Sequence, residues 1–298
     1  MKELFRVRKE GVYASLQDKG RVGYRAFGMP VAGPMDTYAF ELGNKIIGNS
    51  PNAAAIELFL GGLSLEVLST HTIAIGGANL HALIDGRQVP LWKSLTVSEG
   101  QILSFVKPIQ GSIAYIFALG GFDTETIMGS NSAYLRAGMG VVLKKGTTLS
   151  VPDIPQVKLT RGLIASEIPT YKEKVEVTVW KSPHFSLFKE KSIDTFFHSE
   201  YTYRGGDRMG YYFNGPELQF IDKSDILSEA TQFGTIQVPT NGLPVILMAD
   251  AQTVGGYATI GKVSDSDLWK IAQLRVGGKL TFKLLENEKE FPNLYQGH

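Results

Sequence analysis

Val175-Glu176-Val177-Thr178-Val179-Trp180 sets a valine at every second position against Glu, Thr and Trp. A period of two places alternate side chains on opposite faces of an extended chain, so this stretch predicts a half-buried β-strand. The same alternation recurs at Leu63, Leu65 and Val67. Asp85-Gly86 separates the apolar segments 80–84 and 87–92 and predicts a two-residue hairpin, because Gly tolerates the positive φ of a type I′ turn. Ser98-Glu99-Gly100 is a similar break between 95–97 and 102–106. The continuous apolar runs 113–119 and 244–249 predict strands buried on both faces. Glycine occurs 33 times in 298 residues and is spread along the whole chain, as many turns between short elements require.

Helices are expected to be few and short. Asp36 can cap a segment with Ala39, Leu42, Gly43 and Ile46 on one face, stopped by Gly48 and then Pro51. The aromatic-rich stretch 185–201 has room for one or two helices through Phe188, Ile193, Phe196 and Phe197. Ser264 or Asp265 can cap another, with Leu268, Ile271 and Ala272 facing inward. The stretch 151–174 carries Pro152, Pro155 and Pro169 and has weak periodicity, which marks it as the linker. Two units are therefore expected, at 1–160 and 161–298. Arg21-Val22-Gly23-Tyr24 and Arg208-Met209-Gly210-Tyr211 form a faint echo between them.

Composition excludes several function classes. Thirty Lys+Arg against 29 Asp+Glu leave a net charge of +1, so no strong field favours nucleic acid or an anionic membrane. The absence of cysteine removes disulfides, thiolate zinc sites, iron–sulfur ligation and a Cys nucleophile together. Lys2, Glu3, Arg6, Arg8, Lys9 and Glu10 stand where a secretory signal would need an apolar stretch, and 113–119 is too short to span a bilayer. A soluble, cytoplasmic protein is expected. Lys144-Lys145 and the charged run 286–290 read as solvated charge.

Gly256, Gly261 and Lys262 nearly match a phosphate-cradling loop, but Val263 stands where a magnesium-ligating hydroxyl belongs and 259–263 reads as extended. His71 and His81 lack a close ligand spacing. No HExxH, GxSxG or GxGxxG occurs. The polar clusters are denser elsewhere. They are Gly20-Arg21-Val22-Gly23-Tyr24 through Gly33-Pro34-Met35-Asp36, Gly206-Asp207-Arg208-Met209-Gly210-Tyr211, Ile226-Leu227-Ser228-Glu229, Ile236-Gln237 and Asp250-Ala251-Gln252-Thr253-Val254-Gly255-Gly256-Tyr257. Charged and carboxamide side chains at strand ends beside glycines suit close approach to a small ligand. Gln237 and Gln252 offer donors and acceptors that match an amide or lactam, and Arg208 can clamp a carboxylate. The same residues can equally satisfy local turns and ion pairs, and both readings stay open at this point.

In these clusters the chain resembles the biotin-dependent carboxyltransferase family, and within it the KipA-like subunits of 5-oxoprolinase. The resemblance runs from Leu16-Gln17-Asp18-Lys19-Gly20-Arg21 to Leu274-Arg275-Val276-Gly277-Gly278. It includes Gly33-Pro34-Met35-Asp36, Gly48-Asn49, Asp207-Arg208-Met209-Gly210-Tyr211 and the complete Asp250–Tyr257 signature. Departures at Ser228-Glu229-Ala230, Asn241-Gly242-Leu243-Pro244 and Gly129-Ser130-Asn131 bear on fine substrate specificity.

The resemblance implies a mainly β protein of two cyclophilin-like β-barrel subdomains with a few short helices. It implies a subunit, inactive alone, of an ATP-dependent 5-oxoprolinase that opens 5-oxo-L-proline to L-glutamate, with a KipI-like B subunit and an A subunit as partners. No cofactor is expected on this chain: ATP is used by the complex, and biotin enters only if a partner carries it. Alternatives are a regulatory protein that antagonises a KipI-like kinase inhibitor, or a carboxyltransferase component whose substrate is urea or a related amide. Chemistry and resemblance together nominate Asp250, Arg208 and Gln252 as catalytic. They nominate Gln237, Tyr257, Glu229, Asp36, Gly255 and Gly256 as substrate-binding, with Arg208 on a substrate carboxylate and Asp250 orienting Gln252 or moving a proton.

Overall fold

The computed structural model describes residues 1–155, 159–222 and 225–285. The alternating valines lie on strand Lys174–Lys181 with Val175, Val177 and Val179 buried. This strand belongs to a closed seven-stranded barrel. Around it the order is Lys174–Lys181, Thr259–Val263, Thr235–Gln237, Val245–Leu247, Gly210–Asn214, Tyr201–Gly206 and Lys279–Leu284. The last strand returns parallel to the first, setting Val175 opposite Leu280 and Val177 opposite Phe282. Closure of this kind leaves no unpaired sheet edge. A two-stranded ribbon, Asp225–Ala230 with Val254–Tyr257, is attached to the barrel.

The first half consists of two antiparallel sheets. One has the order Thr148–Val151, Lys2–Lys9, Ser64–Val67, Ile102–Phe105, Ala82–Ile84 and Arg87–Gln88. The other runs Tyr13–Gln17, Ala55–Phe59, Gln110–Ala118, His71–Asn79 and Ser94–Val97. Phe5, Leu65 and Leu103 from one sheet meet Leu16, Ile56 and Ile116 from the other in a single apolar core. Strand Gln110–Ala118 turns Ala114, Ile116 and Ala118 into that core, while Ile113, Tyr115 and Phe117 face a second core continuous with the barrel interior. Burial on both faces explains why this strand shows no alternation. Asp85 and Gly86 have φ of 49° and 78°, and the hairpin expected there joins Ala82–Ile84 to Arg87–Gln88.

Helix α1, Thr37–Ile47, starts where Asp36 Oδ1 accepts the Ala39 N–H at 2.8 Å and stops at Gly48. It lies on the outer face of the five-stranded sheet with Phe40 edge-on to Tyr115. Gly43 permits this approach, since a Cβ there would sit 2.0 Å from the Phe117 ring. Helix α2, Glu190–His198, stacks Phe196 on Phe282 of the barrel with ring centroids 4.2 Å apart. Helix α3, Leu268–Ala272, buries Leu268, Ile271 and Ala272 as expected; a 3-10 turn, Asp265–Asp267, with Ser264 as its N-cap runs directly into it, so that Asp267 is the residue immediately before the α-helix. The Asp267 carboxylate does not cap the helix and instead accepts the Thr178 N–H at 2.8 Å, tying α3 to the barrel.

Between Val151 and Lys174 the described residues include a short 3-10 turn, Ala165–Glu167, and no strand. This connection is packed, with Tyr171 buried and Leu159 and Leu163 against the barrel-side core. The Arg21/Arg208 echo does not mark a repeated local structure. Gly23 sits in a turn at φ 97°, whereas Gly210 begins a barrel strand. The run 286–290 lies outside the described residues. Among the described residues no helix is long and apolar enough to cross a membrane.

Candidate functional site

Arg208 projects from the turn between barrel strands Tyr201–Gly206 and Gly210–Asn214. Asp207 shapes that turn, with its Oδ1 accepting the Met209 N–H at 2.7 Å. Asp250 lies just beyond strand Val245–Leu247, and its N–H donates to the Arg208 carbonyl at 2.7 Å. Backbone pairing at this point sets the two side chains next to each other.

The guanidinium is buried and its donors are engaged. Nε and Nη2 donate to the two Asp250 carboxylate oxygens at 2.9 and 2.7 Å, and Nη2 also donates to the Gly33 carbonyl at 2.7 Å. Nη1 donates to Glu57 Oε1. Glu57 stands on strand Ala55–Phe59 and is 0% exposed. Its Oε2 accepts the Tyr115 hydroxyl at 2.6 Å and the Met35 N–H at 2.8 Å. The Tyr115 oxygen in turn accepts the Asp36 N–H at 2.9 Å. Asp36 Oδ2 accepts Gln273 Nε2 at 2.7 Å, and Gln273 also donates to the Ile113 carbonyl and accepts the Ser112 and Ile113 N–H groups. One buried network thus joins the barrel, the five-stranded sheet and the cap of α1.

Burial works against charge throughout this network, and the partners decide each outcome. At Arg208 burial favours loss of the proton, but Asp250 and Glu57 outweigh it and hold the guanidinium firmly charged. Burial raises the Glu57 carboxyl, opposed by Arg208 and the Tyr115 hydroxyl. Asp36 is pushed up to about 6 by burial, against the Ala39 N–H and Gln273. The Tyr115 phenol lies well above its usual range through burial and the neighbouring Glu57 and Asp36.

At one end of this network Arg208 and Asp250 line a cleft of about 390 Å³ between the two halves. Arg208, Asp250 and Tyr211 come from the barrel side, and Tyr13, Phe59 and Arg136 from the first half. The volume lies within the ~300–1,000 Å³ common for small-molecule sites.

The other nominated residues fall in different places. Asp36 is part of the buried network, two hydrogen bonds from Glu57 through Tyr115. Gln252 Nε2 donates to Gln237 Oε1 at 3.2 Å, while the buried Gln237 Nε2 has no partner. Gly255 lies against that amide, where a Cβ would come within 2.4 Å of Nε2. Glu229, Gly255, Gly256 and Tyr257 all stand on the ribbon, with Glu229 opposite Gly255 and Asp225 opposite Tyr257. Glu229 contacts His184 Nε2 at 3.3 Å, and Tyr257 is half exposed. Gly256 and Gly261-Lys262 occupy two successive strands and Lys262 pairs with Asp265, so the near-match to a phosphate loop is extended chain.

Glu57, Tyr115 and Gln273 were missed in the sequence reading. Glu57 carried a usable signal, a carboxylate flanked by apolar residues on both sides in Ala55-Ile56-Glu57-Leu58-Phe59. Such a residue is buried only when paired.

The carboxyltransferase domain, subdomain A and B, matches residues 27–284. The chain belongs to this family. It is 37% identical over 274 residues to the C subunit of 5-oxoprolinase from Haemophilus influenzae, covering 91% of this chain and 87% of that protein. The corresponding C subunit from Escherichia coli is 32% identical over 282 residues, with 94% and 90% covered. The crystal structure of Kluyveromyces lactis urea carboxylase superimposes with a TM-score of 0.88 at 29% identity, covering 95% of this chain and 27% of that one. Membership agrees with the mainly β, few-helix architecture anticipated above; of the two barrel-like subdomains expected, the second is a closed barrel and the first is a pair of packed antiparallel sheets. The chain is accordingly a carboxyltransferase-family protein whose named relatives include subunits of 5-oxoprolinase.

Proposed function

We propose that the chain is a subunit of an ATP-dependent 5-oxoprolinase that works with a KipI-like B subunit and an A subunit, and that it is inactive alone. The observation that carries this reading is its near full-length similarity to a protein named as the C subunit of 5-oxoprolinase. The overall reaction adds one water across the lactam C–N bond, hydroxyl to the carbonyl carbon and hydrogen to the nitrogen. It is coupled to hydrolysis of ATP to ADP and phosphate. The extended 256–262 segment does not fit a nucleotide phosphate, and no ATP site is assigned to it.

In this reading the interdomain cleft receives the lactam. Tyr13, Phe59 and Tyr211 supply apolar walls for the ring, and Asp250 faces it as the acceptor for the ring N–H or a migrating proton. Arg208 and Glu57 act as positioning residues, because their contacts orient Asp250 and clamp the two halves. The Gln237–Gln252 pair, bordered by Glu229, Gly255, Gly256 and Tyr257, is the second candidate contact for an amide. Likeness to a urea carboxylase structure supports a second reading, a carboxyltransferase component whose substrate is urea or a related amide, with biotin carried by a partner.

The test is glutamate formation and ATP hydrolysis by the purified chain, alone and mixed with its cognate A and B subunits. Activity dependent on 5-oxoproline only in the full mixture is the expected result. An inactive mixture that instead carboxylates urea when given a biotin carboxylase, its biotin carrier, ATP and bicarbonate would replace the first reading with the second.

A further inference from the structure

Cations lining the cleft differ in what they have left to offer. Arg208 is committed to Asp250, Glu57 and Gly33. Arg275 donates to Glu173 at 2.5 Å. Arg136 lines the same cleft, is exposed, and among the described residues has no hydrogen bond or ion pair. An arginine fork without a partner at the wall of a largely apolar cleft is a receptor for a planar oxyanion.

The arginine sits on a firmly held turn. Leu135–Ala137 is one 3-10 turn closed by paired Tyr134–Met139 backbone hydrogen bonds of 2.9 and 3.2 Å. Its root is fastened to the first-half sheet by the Ala133 N–H on the Leu16 carbonyl at 2.9 Å. Just before it, the buried Asp18 carboxylate accepts the Ser130 and Ser132 hydroxyls at 2.5 and 2.7 Å and the Asn131 N–H at 2.6 Å. Arg21, also buried, donates to the Ser132 carbonyl. These contacts fix where the Arg136 backbone stands while leaving its side chain free. Asp250, on the barrel side, lines the same cleft as Arg136.

We propose that Arg136 anchors the carboxylate of the cleft's substrate, a small acid bearing a cyclic amide, so that the lactam is presented to Asp250. This rests on the 5-oxoprolinase reading and moves the carboxylate clamp from Arg208 to Arg136. Arg208 is then a positioning residue. Recognition of the acid is separate from the chemistry at the ring, so loss of Arg136 acts on binding rather than on turnover.

The experiment uses the complete complex with wild-type chain, Arg136→Gln and Arg136→Lys, and two ligands, 5-oxoproline and 2-pyrrolidinone, the same lactam without its carboxylate. Arg136→Gln is expected to raise KM for 5-oxoproline by about ten- to a hundredfold, the loss of one charged hydrogen-bonding partner. kcat should stay within about threefold, and the preference for 5-oxoproline over competing 2-pyrrolidinone should disappear. Arg136→Lys should recover part of the loss. An active complex whose KM and ligand preference are the same in Arg136→Gln overturns the inference and leaves the 5-oxoprolinase reading standing. If the wild-type complex opens no 5-oxoproline, that reading fails and binding of 5-oxoproline to the same complexes, followed by ligand-observed NMR, decides the inference. Binding lost in Arg136→Gln supports it; equal binding, or none to the wild type, overturns it.

Discussion

Replacing Arg208 by Met removes one positive charge from between two buried carboxylates and keeps most of the side-chain volume. Glu57 is fully buried and the Arg208 side chain is 7% exposed, so solvent screens little of the loss. Breaking a buried pair from one side costs about 3–5 kcal/mol, and here two carboxylates lose the same partner. At about 2–4 °C per kcal/mol, the melting temperature at pH 8 should fall by roughly 6–20 °C. The deficit should shrink in acid. Without Arg208 the Glu57 carboxyl, already raised by burial, loses its main opposing charge, and its folded-state pKa rises further above the unfolded value. A group raised in this way favours the fold while protonated and loses that contribution as pH rises through its folded pKa. Thermal melts of wild type and Arg208→Met from pH 5 to pH 8, together with Glu57→Gln and the double variant, test the argument. The double variant should be more stable than the two single losses added together imply, with coupling of about 1 kcal/mol or more. A deficit below about 1 kcal/mol at pH 8, or one independent of pH, would refute the account of this ion-pair network.

Three further outcomes follow from the packing around it. Asp36, pushed up to about 6 from an ordinary 3.8, should titrate near 6 in carboxyl-carbon NMR. Its contribution to stability, read against Asp36→Ser (which retains a capping oxygen), should be present below about pH 4 and be lost as pH rises through 6; the opposite slope would contradict its burial. Gln273→Ala leaves the buried Ser112 and Ile113 N–H groups unpaired, at about 1–3 kcal/mol each. It should lower the urea midpoint and speed hydrogen exchange at those two amides, and unchanged exchange would argue against its role as a latch between the halves. Gly43→Ala should destabilise by about 1–3 kcal/mol through overpacking, since its Cβ would stand 2.0 Å from the Phe117 ring. Phe117→Leu in the same chain should return part of that loss in the same melts.

Local patterns carried the elements well. Alternating valines at 175–179, the Asp85-Gly86 turn and the Asp36-to-Gly48 helix are each specified by neighbours a few residues apart, within reach of backbone geometry and capping. Ser264 starts the turn that leads into α3, whereas the Asp267 carboxylate at the helix start is claimed by the Thr178 N–H, 89 residues away, which no local pattern announces. The site was half legible. Arg208 and Asp250 were singled out for their chemistry, yet their immediate role as mutual partners depends on a contact spanning 42 positions.

Composition and short-range periodicity by themselves determined a mainly β chain with few helices, its turns, and the polar clusters from which any site had to be built. Tertiary structure alone decided which of those clusters meet. Glu57 reaches Arg208 across 151 positions and Gln273 reaches Asp36 across 237, and contacts closing such separations exist only within the folded barrel and paired sheets. The same packing settles which arginine is spent inside the protein and which faces the cleft. A guanidinium's availability is a property of its neighbours in space, and Arg208 and Arg136 are alike until the fold supplies those neighbours.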